Sequence, residues 1–356
     1  MRELPVQQAV GHVLCHDMTQ IIPGEFKGAR FRKGHVVAPE DVDVLLSMGK
    51  RSVYVLELEP GMLHEDDAAI RLCEIMEGDG CVRSPEIREG KIELRAAYDG
   101  CFRVRSNALA AVNSVTQVMV ATRAGNTAVH AGDKLAGMRV IPLVIEESKL
   151  EEARRAADAC AGEGPVCEVL PYKLRRVGIV TTGSEVAAGL IEDSFTPVVK
   201  SKLAEYGMEC VAHEMPGDDV EDIVAAIRRV REAGVDLVVC TGGMSVDPDD
   251  NTPGAIQESG AEMVTYGAPV LPGAMVFVGY YGDGTPVLGL PGCVMFARAT
   301  ILDLIMPRIA AGVRLTRADI VAYAEGGLCL GCEECHYPLC PFGKEALASR
   351  SAHELP

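Results

Sequence analysis

The sequence predicts an α/β protein: a doubly wound, mostly parallel sheet that follows a smaller α+β, β-rich N-terminal region. Three observations predict it. From Arg175 onward, apolar strand-length runs alternate with helix-length segments, and that alternation implies a parallel sheet covered on both faces. Between Ile87 and Ile145 the pattern is instead a series of short β-rich runs (KIELRAAY, CFRVRS, TQVMVAT, RVIPLVI) separated by Gly90, Gly100, Gly125 and Gly132. The 356 residues also exceed what one ordinary core supports. The expected organisation is an α+β region over 1–82, a mostly-β domain over 83–150 and a linker over 151–174. The α/β domain then covers 175–315 and a cysteine-rich tail 316–356.

The elements follow in order. Val42, Leu45, Leu46 and Met48 form one apolar helix face, and Gly49 ends that helix before a strand from Ser52 to Leu58. A second helix is expected over Glu65 to Glu77, and a charged helix from Glu146 to Ala161 leads through GEGP into the next domain. There RRVGIVTT reads as a buried strand ending in the turn Gly183-Ser184-Glu185, followed by a helix over about Pro197 to Tyr206 and a strand from Glu209 to His213. The helix from about Val220 to Ala233 has Asp218 as its expected cap, with Glu221 three residues on. Asp236 to Thr241 is an apolar strand running into Gly242-Gly243, and Thr252-Pro253 opens a short helix. Pro286 to Leu290 is a further strand, and Pro291-Gly292 leads into a long helix from Val294 to Ala311.

Charge and hydropathy exclude some functions. With 34 Lys and Arg against 51 Asp and Glu, the net charge of −17 argues against nucleic acid, whose binding draws on basic clusters. It does not exclude a small anion, because helix N-termini and glycine turns act locally. The longest apolar stretch, Val287 to Val313, is broken by Pro291, Arg298, Asp303, Pro307 and Arg308, so no membrane span is expected. The N-terminus carries no apolar run after a basic start, and a cytoplasmic protein is expected. Of the 13 cysteines, nine are scattered and read as reduced core residues.

Ligands of such sheets bind beyond the carboxyl ends of the strands. Three glycine-bearing loops lie there: Thr181 to Val186 (TTGSEV), Thr241 to Pro253 (TGGMSVDPDDNTP) and Leu288 to Met295 (LGLPGCVM). Glycine permits close backbone approach, so successive N–H groups can point at an anion; the plainer alternative is three tight turns. Asp247, Asp249 and Asp250 make sense beside a phosphate if a divalent cation, usually Mg²⁺, sits between them; the plainer alternative is that they cap turns.

These loops resemble the pterin-binding domain shared by molybdopterin adenylyltransferases and molybdopterin molybdenumtransferases, the MogA and MoeA types, over about Val177 to Ile309. TTGSEV is similar to the family's Ser/Thr-Thr-Gly-Asp-Glu-Leu turn, which implicates Thr182, Gly183, Ser184 and Glu185. TGGMSVDPDD resembles its Gly-Gly-Val-Ser-Val-Gly loop and following acid, implicating Gly242, Gly243, Ser245 and Asp250. DNTPGA resembles the Asp-Val-Thr-Pro-Glu-Ala run of the adenylyltransferase branch, Asp219 matches a second family aspartate, and LPGCVM resembles Leu-Pro-Gly-Asn-Pro, giving Pro291 and Gly292. A fainter likeness to the molybdenumtransferase covers KGHVVAPEDVDVLLSMGKRSVYV. The departures are specific. The Ser-Ala-Met-Asp-Gly-Tyr-Ala signature is absent, the Pro-Gly-Lys-Pro loop has become LPGAM (Leu271 to Met275) without its lysine, and Asn-Pro has become Cys293-Val294.

The resemblance implies that the loops hold molybdopterin or its adenylated form, that Asp219 and Asp250 act catalytically through Mg²⁺, and that molybdate or tungstate is inserted with loss of AMP. It leaves two alternatives: a carrier that docks on a client molybdoenzyme, and an ATP-dependent adenylyltransferase. Homologous sheets often assemble as homo-oligomers. Separately, Cys329, Cys332, Cys335 and Cys340-Pro341 approximate the ferredoxin spacing with one extra residue, which predicts an iron–sulfur cluster or a zinc site that His336 could join.

Overall fold

The computed structural model describes residues 2–22, 24–55, 59–160, 162, 164–190, 192–245, 247 and 250–344, with the backbone alone at 185 and 186. The expected strand's last residues, Leu56 to Leu58, and Asp249 lie outside them. The chain divides into two compact units: Met1–Ala96 with Asn107–Arg123 and Gly132–Glu168, and Ala97–Ser106 with Ala124–Ala131 and Val169–Pro356.

In the first unit, the helix Asp41–Ser47 buries Leu45 into a cluster with Leu4, Val6, Leu14, Val53 and Val55. The strand Ser52–Val55 pairs antiparallel with Arg2–Pro5. A four-stranded antiparallel sheet runs in the order Cys81–Arg83, Ile92–Ala96, Lys134–Val140, Val118–Thr122. The helix Glu65–Met76 packs on it through a stripe of Ala68, Ala69, Leu72, Cys73 and Met76, the 3.6-residue periodicity of a half-buried helix. A helix at Ser106–Ser114 interrupts the β-rich stretch. Its apolar pattern, Ala108 and Val112 spaced by four, is too brief to be told from a strand by periodicity.

The second unit holds a six-stranded sheet built from β1 (Arg176–Thr181), β2 (Glu209–Glu214), β3 (Leu237–Thr241), β4 (Glu262–Tyr266), β5 (Phe277–Tyr280) and β6 (Pro286–Leu290). Its order is β2-β1-β3-β6-β5-β4. The first four of these are parallel, and β5 and β4 add an antiparallel edge. The central strands bury both faces, so they read as continuous apolar runs. One face is covered by α1 (Phe195–Ala204) and by α4 (Ile301–Ala310), the other by α2 (Val220–Glu232) and α3 (Thr252–Glu258), which makes the sheet doubly wound.

Two expectations are corrected here. The long helix from Val294 to Ala311 is split into a 3₁₀ turn, Gly292–Met295, and α4. Thr300 and Asp303 form a reciprocal capping box: the Thr300 hydroxyl accepts from the Leu302 N–H at 3.2 Å and Asp303 accepts from the Thr300 N–H at 2.7 Å. A new helix start inside an apolar run outweighs continuity of hydropathy. The N-cap of α2 is Asp219 rather than Asp218, and its side chain makes no capping bond. Beyond α4, α5 (Arg317–Val321) is tied back by Arg308, which donates to Asp319 at 3.1 Å and to the Tyr323 hydroxyl at 3.0 Å. No helix among the described residues is long and apolar enough to cross a membrane.

Candidate functional site

Strand register brings the three loops together. Thr181 at the end of β1 pairs with Thr241 at the end of β3, and Thr241 pairs with Leu290 at the end of β6. Three adjacent parallel strands therefore stop at one level and release their loops side by side. The Thr182 N–H donates to the Thr241 carbonyl at 2.8 Å, carrying the ladder one residue into the first loop.

A closed circuit of hydrogen bonds then fixes the loops after β1 and β3 to each other and to the segment that opens α2. The Thr182 and Thr252 hydroxyls lie 3.1 Å apart, linking the first loop to the start of α3. The Asn251 amide donates to the Asp218 carbonyl at 3.0 Å, and the Asp218 carboxylate accepts from both the N–H (2.8 Å) and the hydroxyl (2.6 Å) of Ser184, back on the first loop. Gly242 and Gly243 lie against this ring, beside Thr182 and Thr252, with φ of +83° and +52°. A Cβ at Gly242 would stand 2.3 Å from the Thr182 carbonyl oxygen, and one at Gly243 would stand 2.9 Å from the Thr252 hydroxyl. Both positions demand glycine, on backbone grounds and on space. Tyr266 of β4 secures the middle loop by donating to the carbonyls of Met244 at 2.9 Å and Ser245 at 3.1 Å. The hydroxyl of Thr241 is buried at the end of the central strand with no hydrogen-bond partner among the described residues.

Residues 178–311 match the family model described as a probable molybdopterin binding domain. That segment belongs to the family. A second model, described only as a domain of unknown function, matches residues 3–57. Curated relatives include CinA-like proteins of Mycobacterium avium strain 104 and Mycobacterium tuberculosis strain H37Rv. They are 40% and 42% identical over 77 residues, covering 22% of this chain and 18% of theirs. The match thus spans less than a fifth of those relatives' length. Among solved structures, the molybdopterin biosynthesis enzyme MoaB of Thermus thermophilus is 26% identical with a TM-score of 0.35, covering 39% of this chain and 98% of that one. The tungsten cofactor synthesizing protein MoaB of Pyrococcus furiosus is 22% identical with a TM-score of 0.32, covering 38% and 93%.

Within the molybdopterin-binding domain, the expected residues fall into three groups. Thr182, Gly183, Ser184, Gly242 and Gly243 meet on the circuit or beside it, and Pro291 and Gly292 follow directly from the neighbouring strand end. Asp219 and Asp250 stand one residue beyond the two ends of the Asn251–Asp218 bond, so their chain segments are neighbours. Asp219 is exposed, whereas Asp250 is half-buried and accepts from the Asp247 N–H at 3.1 Å. Ser245 is exposed and contributes its carbonyl; the Glu185 side chain lies outside the described residues.

Sequence reasoning missed two features. Asp218 proves to be the tie between loops, and a polar cluster lies beneath the first loop. In that cluster the Thr181 hydroxyl is 2.9 Å from the Thr196 hydroxyl and 3.0 Å from His213 Nε2. Burial lowers the pKa of His213, against the raising effect of Asp193 3.7 Å away. Asp193 is itself held low: burial would raise it, but hydrogen bonds from Thr196 and Phe195 and the His213 charge outweigh that. A His five residues into a strand beside a Thr-bearing strand end was the only signal available.

The cysteine tail is not drawn into one ligand set. Cys329 and Cys340 are half-buried against the sheet's core with Tyr337, whereas Cys332 and Cys335 are exposed. Among the described residues no group of three or more His, Cys, Asp or Glu is arranged to hold a metal ion. The expectation of a shared cluster or zinc thus meets an arrangement in which apolar packing takes two of the four thiols.

Proposed function

We propose that the loop edge of the molybdopterin-binding domain takes up adenylated molybdopterin and promotes insertion of molybdate or tungstate, with release of AMP. The observation that carries this reading is the hydrogen-bonded circuit beside Gly242 and Gly243. It fixes the glycine-bearing loops after β1 and β3 to the segment that opens α2, so that an anionic group would meet backbone already held in place. Thr182, Gly183, Ser184 and Glu185, with Gly242, Gly243, Ser245, Pro291 and Gly292, would bind and orient the phosphorylated pterin.

Asp219 and Asp250 fit a Mg²⁺ ion that draws its other ligands from phosphate and water, since Mg²⁺ commonly takes only one or two carboxylates from the protein. Asp219 supports this because its carboxylate stands at the start of α2 and does no capping. Bound there, the ion would neutralise charge on the phosphoanhydride. The chain's own part is to hold the pterin phosphate against the loops, keep the anhydride in place for cleavage and let AMP depart as the dithiolene takes the oxyanion. The tail cysteines do not fit a shared metal in this arrangement and are given no step.

The test is AMP release from adenylated molybdopterin with Mg²⁺, with and without molybdate. Molybdate-dependent release supports the proposal, and Asp250→Ala should abolish release while keeping most pterin affinity. Unchanged release in that variant would sink the assignment. A second reading, a molybdopterin carrier for a client molybdoenzyme, is favoured by the missing lysine in Leu271 to Met275; tight binding without release would select it. Pyrophosphate release from ATP would instead select an adenylyltransferase, for which the DNTPGA start of α3 speaks.

A further inference from the structure

We propose that the first compact unit carries a separate binding site for a compact phosphorylated anion with two or more negative charges, in the cleft beside Arg32 and Lys91. This cleft has a volume of about 1310 Å³ and lies wholly within that unit. Among the described residues, six cationic side chains line it: Arg32, Arg88, Lys91, Arg95, Lys134 and Arg139. On a chain of net charge −17 this is a local reversal of sign, and the local field decides where an anion settles.

The carboxylates in the cleft are already committed, with one exception. Glu86 is paired with Arg88 at 2.7 Å, and Glu93 is held by Lys134 at 2.6 Å and Arg95 at 2.9 Å. The bond to Lys134, followed by that to Arg95, outweighs burial and keeps Glu93 ionised below its ordinary range. Asp17 accepts the Lys33 N–H at 2.8 Å, which leaves Glu89 as the uncommitted acid at the rim. Arg32 and Lys91, both exposed, make no side-chain hydrogen bond or ion pair among the described residues. Neither cation is held by a contact, although the charge of Arg32 reaches Glu86, and the acids that are bonded take their bonds from other groups, which leaves charge for a ligand to satisfy.

The walls are anchored. Next to Arg32, Lys33 donates to His64 Nδ1 at 2.8 Å and pairs with Asp66, while His64 Nε2–H donates to the Cys15 carbonyl. Burial, with Lys33 beside it, lowers the pKa of His64, which suits the neutral tautomer these bonds require. Next to Lys91, a tight turn exchanges backbone bonds between Arg88 and Lys91 at 3.1 and 3.0 Å. Pre-set walls reduce the ordering cost of binding.

The lining also restricts the ligand's chemistry. Among the described residues no aromatic ring lines the cleft, so a base or pterin would find nothing to stack on. The recognised part is the anion itself. Small-ligand pockets run from about 300 to 1,000 Å³, so a diphosphate with a modest organic portion fits comfortably.

The test is calorimetric titration of the full chain with inorganic pyrophosphate, at low and raised salt. One saturable site is expected, weakened by salt and by about tenfold or more in Arg32→Ala/Lys91→Ala, which removes two charge-assisted contacts. Both residues are exposed and unengaged, so the double variant should keep the parent melting temperature; Arg32→Gln/Lys91→Gln repeats the test should it not. Gly292→Asp, which places a negative charge at the strand-end loops, should leave this binding intact. That control separates the cleft from the molybdopterin site. No binding, binding retained in both double variants, or binding lost in Gly292→Asp would each overturn the proposal.

Discussion

The Asp218 carboxylate accepts both the amide N–H and the hydroxyl of Ser184, at 2.8 and 2.6 Å, and so joins the loop after β1 to the segment that opens α2. Because the Asp218 carbonyl also accepts from Asn251, this one residue spans three of the loops around the glycine pair. Asp218→Ala should cost about 1–2 kcal/mol, the low end for bonds to a charged group because the site is part-exposed. Asp218→Asn, which keeps one acceptor, should lose less. Urea unfolding measures the stability. A pterin-phosphate titration should show both variants weakened in the same order, since the loops lose their shared anchor.

Two glycines of the site make opposite predictions. Gly242 has φ +83° and no room for a Cβ against the Thr182 carbonyl oxygen at 2.3 Å, so Gly242→Ala must shift backbone. A loss of about 2–4 kcal/mol is expected, with binding lost alongside. Gly292 has nothing within 4 Å of a built Cβ. Gly292→Ala should therefore melt within about 0.5 kcal/mol of the parent. Any fall in ligand affinity in that variant then reports direct approach of the ligand to the loop. Equal destabilisation by both substitutions would contradict the geometry.

What could be read from the sequence follows from how local each signal is. The alternation after Arg175 marks β1, β2, β3 and β6, and the three central ones are the plainest because strands buried on both faces are continuous apolar runs. The edge strand β4 escaped because Glu262, Met263 and Tyr266 are exposed and break the apolar run, and its antiparallel partner β5 lies outside the strand–helix alternation. The split before α4 escaped because a capping box of two residues, Thr300 and Asp303, competes with a long stretch of hydropathy that runs across it. At the site, the glycine loops were legible because positive φ restricts residue type. The Asp218–Ser184 and His213–Thr181 contacts join residues 34 and 32 positions apart, and no local pattern encodes such a pairing.

Acid should weaken the second unit through His213. Its folded pKa is lowered from 6.5, chiefly by burial, so the folded chain resists a proton that the unfolded chain accepts. Stability contributed by neutral His213 is therefore whole above the unfolded value of 6.5 and declines as the pH falls below it. The decline stops once the pH passes the lower folded value. Asp193 does not enter this window: its pKa is depressed below 3.8, so its contribution is lost only in stronger acid. His213→Gln can keep a bond to the Thr181 and Thr196 hydroxyls while removing the titration. Urea midpoints followed from about pH 7.5 to 5, read with a probe in the second unit, should fall less steeply in His213→Gln than in the parent. Parallel profiles would exclude His213 as the source.

The thirteen cysteines should separate sharply by reactivity. Cys332 and Cys335 are exposed on the tail, whereas burial pushes the thiols of Cys73 and Cys240 up to about 12 and that of Cys15 to about 11. Alkylation proceeds through the thiolate, so at about pH 8 a thiol at 12 presents roughly a thousandth of the reactive form of an ordinary cysteine, before any steric protection. Iodoacetamide labelling of the native protein, followed by peptide mass spectrometry, should modify Cys332 and Cys335 first and the fully buried Cys167 and Cys240 last. Cys329 and Cys340, half-buried against the core, should fall between them. Protection of all four tail cysteines, released together by a chelator, would mean that their thiolates share a metal and that the packed arrangement of Cys329 and Cys340 gives way when it binds. Prompt labelling of Cys332 and Cys335 in untreated protein would instead show that the packing of the other two prevails.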